Sequence, residues 1–107
     1  MPATITDVQS VAVTGIAAVD AAGEAVTVDT TKVTTTVGDP TLLVFTVDPT
    51  TNLPTFSFNK GVFTGTLPAT SQVSLQDTVN NLTSQDSITV NASAATSETI
   101  QFGVPTP

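Results

Sequence analysis

The stretch KVTTTVGDPTLLVFTVD (residues 32–48) holds two runs of period two separated by a chain-breaking triplet. In the first run Val33 and Val37 flank three threonines, and Gly38-Asp39-Pro40 then ends any regular element, because proline fixes φ and has no N–H to donate. In the second run Leu43, Phe45 and Val47 alternate with Leu42, Val44 and Thr46, so both faces carry apolar side chains. That pattern predicts a strand buried on much of both faces and central in its sheet. Two strands joined by a short break point to an all-β domain.

The same grammar extends in both directions. Towards the amino terminus, residues 25–29 place Val26 and Val28 on one face, and Asp20-Ala21-Ala22-Gly23 before them is a tight-turn signal, which together predict a hairpin. Val8, Val11 and Val13 lead into a first strand, and residues 2–6 are expected to form an arm. Towards the carboxy terminus, Asp48-Pro49-Thr50-Thr51-Asn52-Leu53-Pro54 is turn-rich. Residues 55–59 then put Phe56 and Phe58 on one face, and a turn at Asn59-Lys60-Gly61 predicts a hairpin with residues 62–66. Residues 71–84 are ambiguous: Val73 and Leu75 alternate as in a strand, whereas Leu75, Val79 and Leu82 sit at helical spacing behind Ser74. The expectation is a strand over 72–76 followed by a short helical turn near residues 75–83. Residues 86–92 and 98–104 are the last two expected strands, ahead of a tail (105–107) whose prolines cannot join a ladder.

Composition agrees. Thirty of the 107 residues are Val, Ile, Leu or Phe, and Thr and Val are the commonest types, both β-branched and suited to a pleated surface. The size suits one core. The expected architecture is therefore an antiparallel β-sandwich, immunoglobulin-like or jelly-roll-like, of about 7–9 short strands, spanning 8–104 between an arm at 1–7 and the tail. Thr34-x-Thr36 and Thr64-x-Thr66 are isolated pairs expected to face solvent, without the regular array that a solenoid needs.

Chemistry is scarce. Nine acidic residues face two lysines, Lys32 and Lys60, with no Arg, for a net charge of -7, which disfavours nucleic acid and anionic membrane surfaces. There is no His to act as general base or metal ligand, and no Cys for thiolate chemistry or disulfides. Ser57-Phe58-Asn59-Lys60 has Ser-x-x-Lys spacing, but Lys60 lies in Asn59-Lys60-Gly61, which reads as a turn rather than as a catalytic pair. The carboxylates of Asp7, Asp20, Asp29, Asp39, Asp48, Asp77, Asp86, Glu24 and Glu98 are scattered, and most of the aspartates fall at strand ends or turns, where they cap backbone N–H groups. Asp48 and Asn52 lack the Asp-x-Asp-x-Asp-Gly order of a calcium loop. Asn81-Leu82-Thr83 and Asn91-Ala92-Ser93 match the glycosylation sequon, which is read as chance because nothing near Met1 has the pattern of a signal peptide. With Trp and Tyr absent, the five phenylalanines are assigned to the core rather than to a sugar-stacking platform. No cofactor is expected, and no enzymatic activity.

A Thr- and Val-rich, Cys-free, acidic β-sandwich without an export signal resembles the immunoglobulin-like modules and decoration, or capsid cement, proteins of tailed-bacteriophage virions. Residues 59–68 (NKGVFTGTLP) and 86–90 (DSITV) are similar to strands of such modules, whereas the immunoglobulin Cys and Trp landmarks are missing. The resemblance implies a non-enzymatic virion protein, often oligomeric, assembled in the host cytoplasm and bound to the major capsid protein or another virion component. Its partner-binding residues are then expected on extended termini: Pro2, Ile5 and Val8 at one end, Ile100, Phe102 and Val104 at the other. The alternatives are a carbohydrate-binding or adhesin-type module of a larger surface protein, and a tail, fibre or baseplate accessory domain.

Overall fold

The computed structural model describes residues 2–93 and 100–106. Among these residues nine strands follow one another: β1 (Ala3–Thr6), β2 (Ser10–Ala12), β3 (Ala18–Val19), β4 (Ala25–Val26), β5 (Val33–Val37), β6 (Leu43–Val47), β7 (Pro54–Phe58), β8 (Ala69–Asp77) and β9 (Leu82–Asn91). The one helical piece among the described residues is a 3-10 turn, Thr30–Lys32, capped by the Asp29 carboxylate, which accepts from the Thr31 N–H. Among the described residues no helix is long and apolar enough to cross a membrane.

The strands form a four-stranded sheet of order β1-β9-β8-β5, a three-stranded sheet of order β2-β7-β6, and the small β3-β4 hairpin. The two larger sheets close on one core: Ile5, Val73, Ile88 and Val90 from the first meet Leu43 and Phe56 from the second, with Leu42 between them. This is an all-β sandwich. Its connections distinguish the two sandwich types expected, because β2-β7-β6 facing β5-β8-β9 reproduces the B-E-D and C-F-G sheets of the immunoglobulin arrangement.

Several elements depart from the sequence reading. The expected arm is β1, paired in parallel with β9 through Ala3↔Ile88 and Ile5↔Val90, so one ladder of the sandwich is not antiparallel. Its period-two partner set lies more than eighty residues away, and no local pattern announces that pairing. Residues 62–66 form no strand; instead Phe63 folds back to meet Phe58 edge-on, with ring centroids 6.0 Å apart. A Cβ on Gly65 would come within 2.7 Å of the Phe63 ring, so a larger residue at this position requires that ring to shift. The expected helical turn near 75–83 is a hairpin reversal: β8 runs to Asp77, whose carboxylate accepts from the N–H groups of Val79 and Asn80, and Asn81 takes the left-handed φ of 54° that brings the chain back as β9. Of the expected strand 98–104, residues 98 and 99 lie outside the described residues, and 100–104 belong to no strand.

The second run of residues 32–48 forms a strand as expected but not a central one. Among the described residues β6 is the outer strand of its sheet, paired with β7 alone, and β5 is the outer strand of the other sheet on the same side of the sandwich. The crossover between them is tied down by Gly38 N–H to Gln72 C=O (2.8 Å) and Asp39 N–H to the buried hydroxyl of Ser71 (2.9 Å). Leu42 and Leu43 are buried, whereas every residue from 44 to 47 is exposed.

Candidate functional site

The six residues expected on the termini are not brought together. Ile5 is 4% exposed and packs in the core, so it is removed from the set: its side chain faces inward from β1 and is unreachable by a partner. Pro2 is exposed just before β1, and Val8 is 80% exposed in the turn between β1 and β2, where Gln9 closes the loop by accepting the Thr6 N–H. Ile100, Phe102 and Val104 are 82%, 89% and 90% exposed, on a segment outside every sheet. Three large apolar side chains at period two, standing in solvent, are more than the scattered surface hydrophobics of an ordinary domain.

A second apolar feature escaped the sequence reading. Along β6, Val44, Phe45 and Val47 are 40%, 37% and 52% exposed. Phe45 points into the sandwich, its ring centroid 5.9 Å from that of buried Phe56, yet it is 37% exposed and among the described residues no strand lies beyond it. The opening between the edges of β5 and β6 is a groove of about 410 Å³ lined by Thr35, Val37, Pro40, Leu43 and Phe45 among others. The backbone there is directional. Asn59 N–H donates to Leu42 C=O and Asp48 N–H to Leu53 C=O, which fixes the hydrogen-bonded pairs of the β6-β7 ladder at residues 42, 44, 46 and 48. Antiparallel alternation then turns the N–H and C=O of Phe45 and Val47 outward, to the open edge. Pro54 C=O bonding to Val13 N–H on the far side of β7 agrees with this phase.

The polar side chains serve the fold. Asp29, Asp39 and Asp48 each accept the N–H two residues on, from Thr31, Thr41 and Thr50 at 3.0, 3.1 and 2.8 Å, and Asp20 accepts from Ala22 and Glu24. The Thr31 hydroxyl holds the Asp29 carboxyl below its ordinary pKa, and the Thr41 hydroxyl does the same for Asp39. The Asn80 side-chain amide, 2.7 Å away, is the main cause of the lowered pKa of Asp77. Asp48 and Asn52 close a turn in which Asn52 N–H donates to Asp48 C=O. Among the described residues no group of three or more His, Cys, Asp or Glu stands close enough to hold a metal ion. A recess of about 280 Å³ between residues 13–17 and the β8-β9 hairpin is bordered mainly by aliphatic side chains, with Asp86 its single carboxylate.

The described residues thus present an apolar segment outside the sheets and an open strand edge beside a groove lined largely by apolar side chains. No protein-family model, curated protein or solved structure matches this chain.

Proposed function

We propose that this chain is a non-enzymatic structural protein of a tailed-phage virion, decorating or cementing the capsid through contacts with the major capsid protein or another virion component. The observation that carries the reading is the exposure of Ile100, Phe102 and Val104, 82–90% in each case, on a segment that joins no sheet. Burying one such side chain in a partner's groove is worth about 1.5–3 kcal/mol, so three in register supply a useful single-site affinity. Repetition over a shell multiplies it, because each additional contact on the same assembly forms at high effective concentration. The uncharged Thr and Ser surface and the acidic balance suit a protein partner better than nucleic acid or an anionic membrane.

Mass spectrometry of purified, nuclease-treated virions from cells expressing the gene tests the reading. The chain is expected in the particle fraction in a fixed ratio to the major capsid protein, and Phe102→Asp is expected to shift it to the soluble fraction. Recovery of the wild-type chain in the soluble fraction alone overturns the proposal.

A further inference from the structure

We propose that residues 100–104 of one copy add as a strand to the open edge of β6 of a second copy, with Ile100, Phe102 and Val104 entering the groove between β5 and β6. It gives to a second copy the same three side chains that a virion partner would bury, and its test on the purified chain alone is separate from the particle test of that reading.

Donor and acceptor match in form. The donor alternates three apolar side chains with Gln101 and Gly103, the period of a strand with one buried face, and is exposed throughout. The acceptor β6 is also five residues long and offers the outward backbone groups of Phe45 and Val47 beside an apolar groove. Exposed edges are usually blunted by charges, prolines or bulges along the strand. β6 has none within its length, Asp39-Pro40 and Asp48-Pro49 lying beyond its two ends. On the donor side Pro105 ends the ladder directly after Val104.

Charge and shape favour a second copy as the occupant. The molecule carries a net charge of -7, which opposes self-association over most faces, yet neither Leu43–Val47 nor residues 100–106 contains a charged residue. The chain measures 82 × 25 × 21 Å with a radius of gyration of 19.3 Å. A compact chain of this length has a radius of about 13 Å, so the molecule is drawn out along one axis, and its own β6 edge is paired with β7 alone. The donor and acceptor are different surfaces of the same molecule. Their contact is therefore head-to-tail: two copies that exchange segments close it as a two-membered ring, and otherwise it builds a larger ring or an open chain.

Sedimentation velocity on the full-length protein over a concentration series tests this. The wild type is expected to self-associate, to a closed dimer or beyond it, as concentration rises. Phe102→Asp disables the donor and Val47→Pro the acceptor; each alone is expected to associate at least about tenfold more weakly. Mixed in equal amounts, the two variants are expected to form a one-to-one dimer and nothing larger, since the intact tail of one finds the intact edge of the other and both remaining ends are blocked. Val47→Lys provides a second acceptor variant, and circular dichroism checks that each keeps its β signature. A wild type that stays monomeric at every concentration overturns the proposal, including one whose Phe102 is protected from chymotrypsin by folding back on its own edge. So does a Phe102→Asp protein that associates as the wild type does, or a mixture of the two variants that remains monomeric.

Discussion

Phe56 and Phe102 are the same residue type put to opposite uses: one is 1% exposed at the centre of the core, the other 89% exposed on the carboxy-terminal segment. Phe56→Ala leaves a cavity among packed side chains and is expected to cost about 3–5 kcal/mol in urea unfolding, whereas Phe102→Ala is expected to leave the unfolding midpoint of the monomer unchanged. The aspartates give a second outcome at this scale. Asp29, Asp39 and Asp77 have their pKa lowered in the folded state by the hydroxyl and amide donors of Thr31, Thr41 and Asn80. A depressed folded pKa means that the ionised form is favoured by folding. The stabilisation is therefore present above the unfolded carboxyl pKa of about 3.9 and is lost as pH falls through that value towards the lower folded one. Urea midpoints are expected to hold between neutral pH and about pH 5 and to fall below about pH 4. Asp77→Asn, which keeps an acceptor oxygen but cannot titrate, is expected to fall less steeply. These roles were legible because they are local: an aspartate two residues ahead of a threonine N–H makes its turn wherever the chain goes.

Strands were legible from period two, but their place in a sheet was not. Residues 43–47 alternate as a buried strand should, yet the pattern is silent on how many neighbours the strand has, and β6 has only β7. The helical spacing of Val79 and Leu82 was coincidence; both side chains are more than half exposed, at the tip and foot of the β8-β9 hairpin. Proline scanning separates edge from centre. Val47→Pro removes an N–H that already faces outward and is expected to be tolerated within about 1 kcal/mol, while Thr89→Pro, in a strand flanked by β1 and β8, is expected to cost about 3 kcal/mol or more. Thermal unfolding followed by circular dichroism distinguishes the two. The sequence reading took 2–6 for an arm and 98–104 for a strand; the chain makes its strand at Ala3–Thr6 and leaves 100–106 outside the sheets, because what decides each case is whether a partner edge is present.

Across the whole molecule, the body and the carboxy-terminal segment set different length scales. For the donor-blocked Phe102→Asp monomer, small-angle scattering is expected to give a radius of gyration near 19.3 Å rather than the roughly 13 Å of a compact domain of this size. A value at the compact end means that the segment packs on its own sandwich. Sandwich class was readable from turn spacing and β-branched content, and the choice between immunoglobulin and jelly-roll connections was not, since it rests on which distant strands meet. The parallel ladder of β1 with β9 is the clearest such meeting, and it bears on mechanics. Because β1 enters the fold at one end of that ladder and β9 leaves it at the other, tension drawn between the two termini runs along both strands and loads their hydrogen bonds together in shear. A domain anchored by its ends would therefore resist being pulled open far better than one whose terminal strands peel apart a bond at a time.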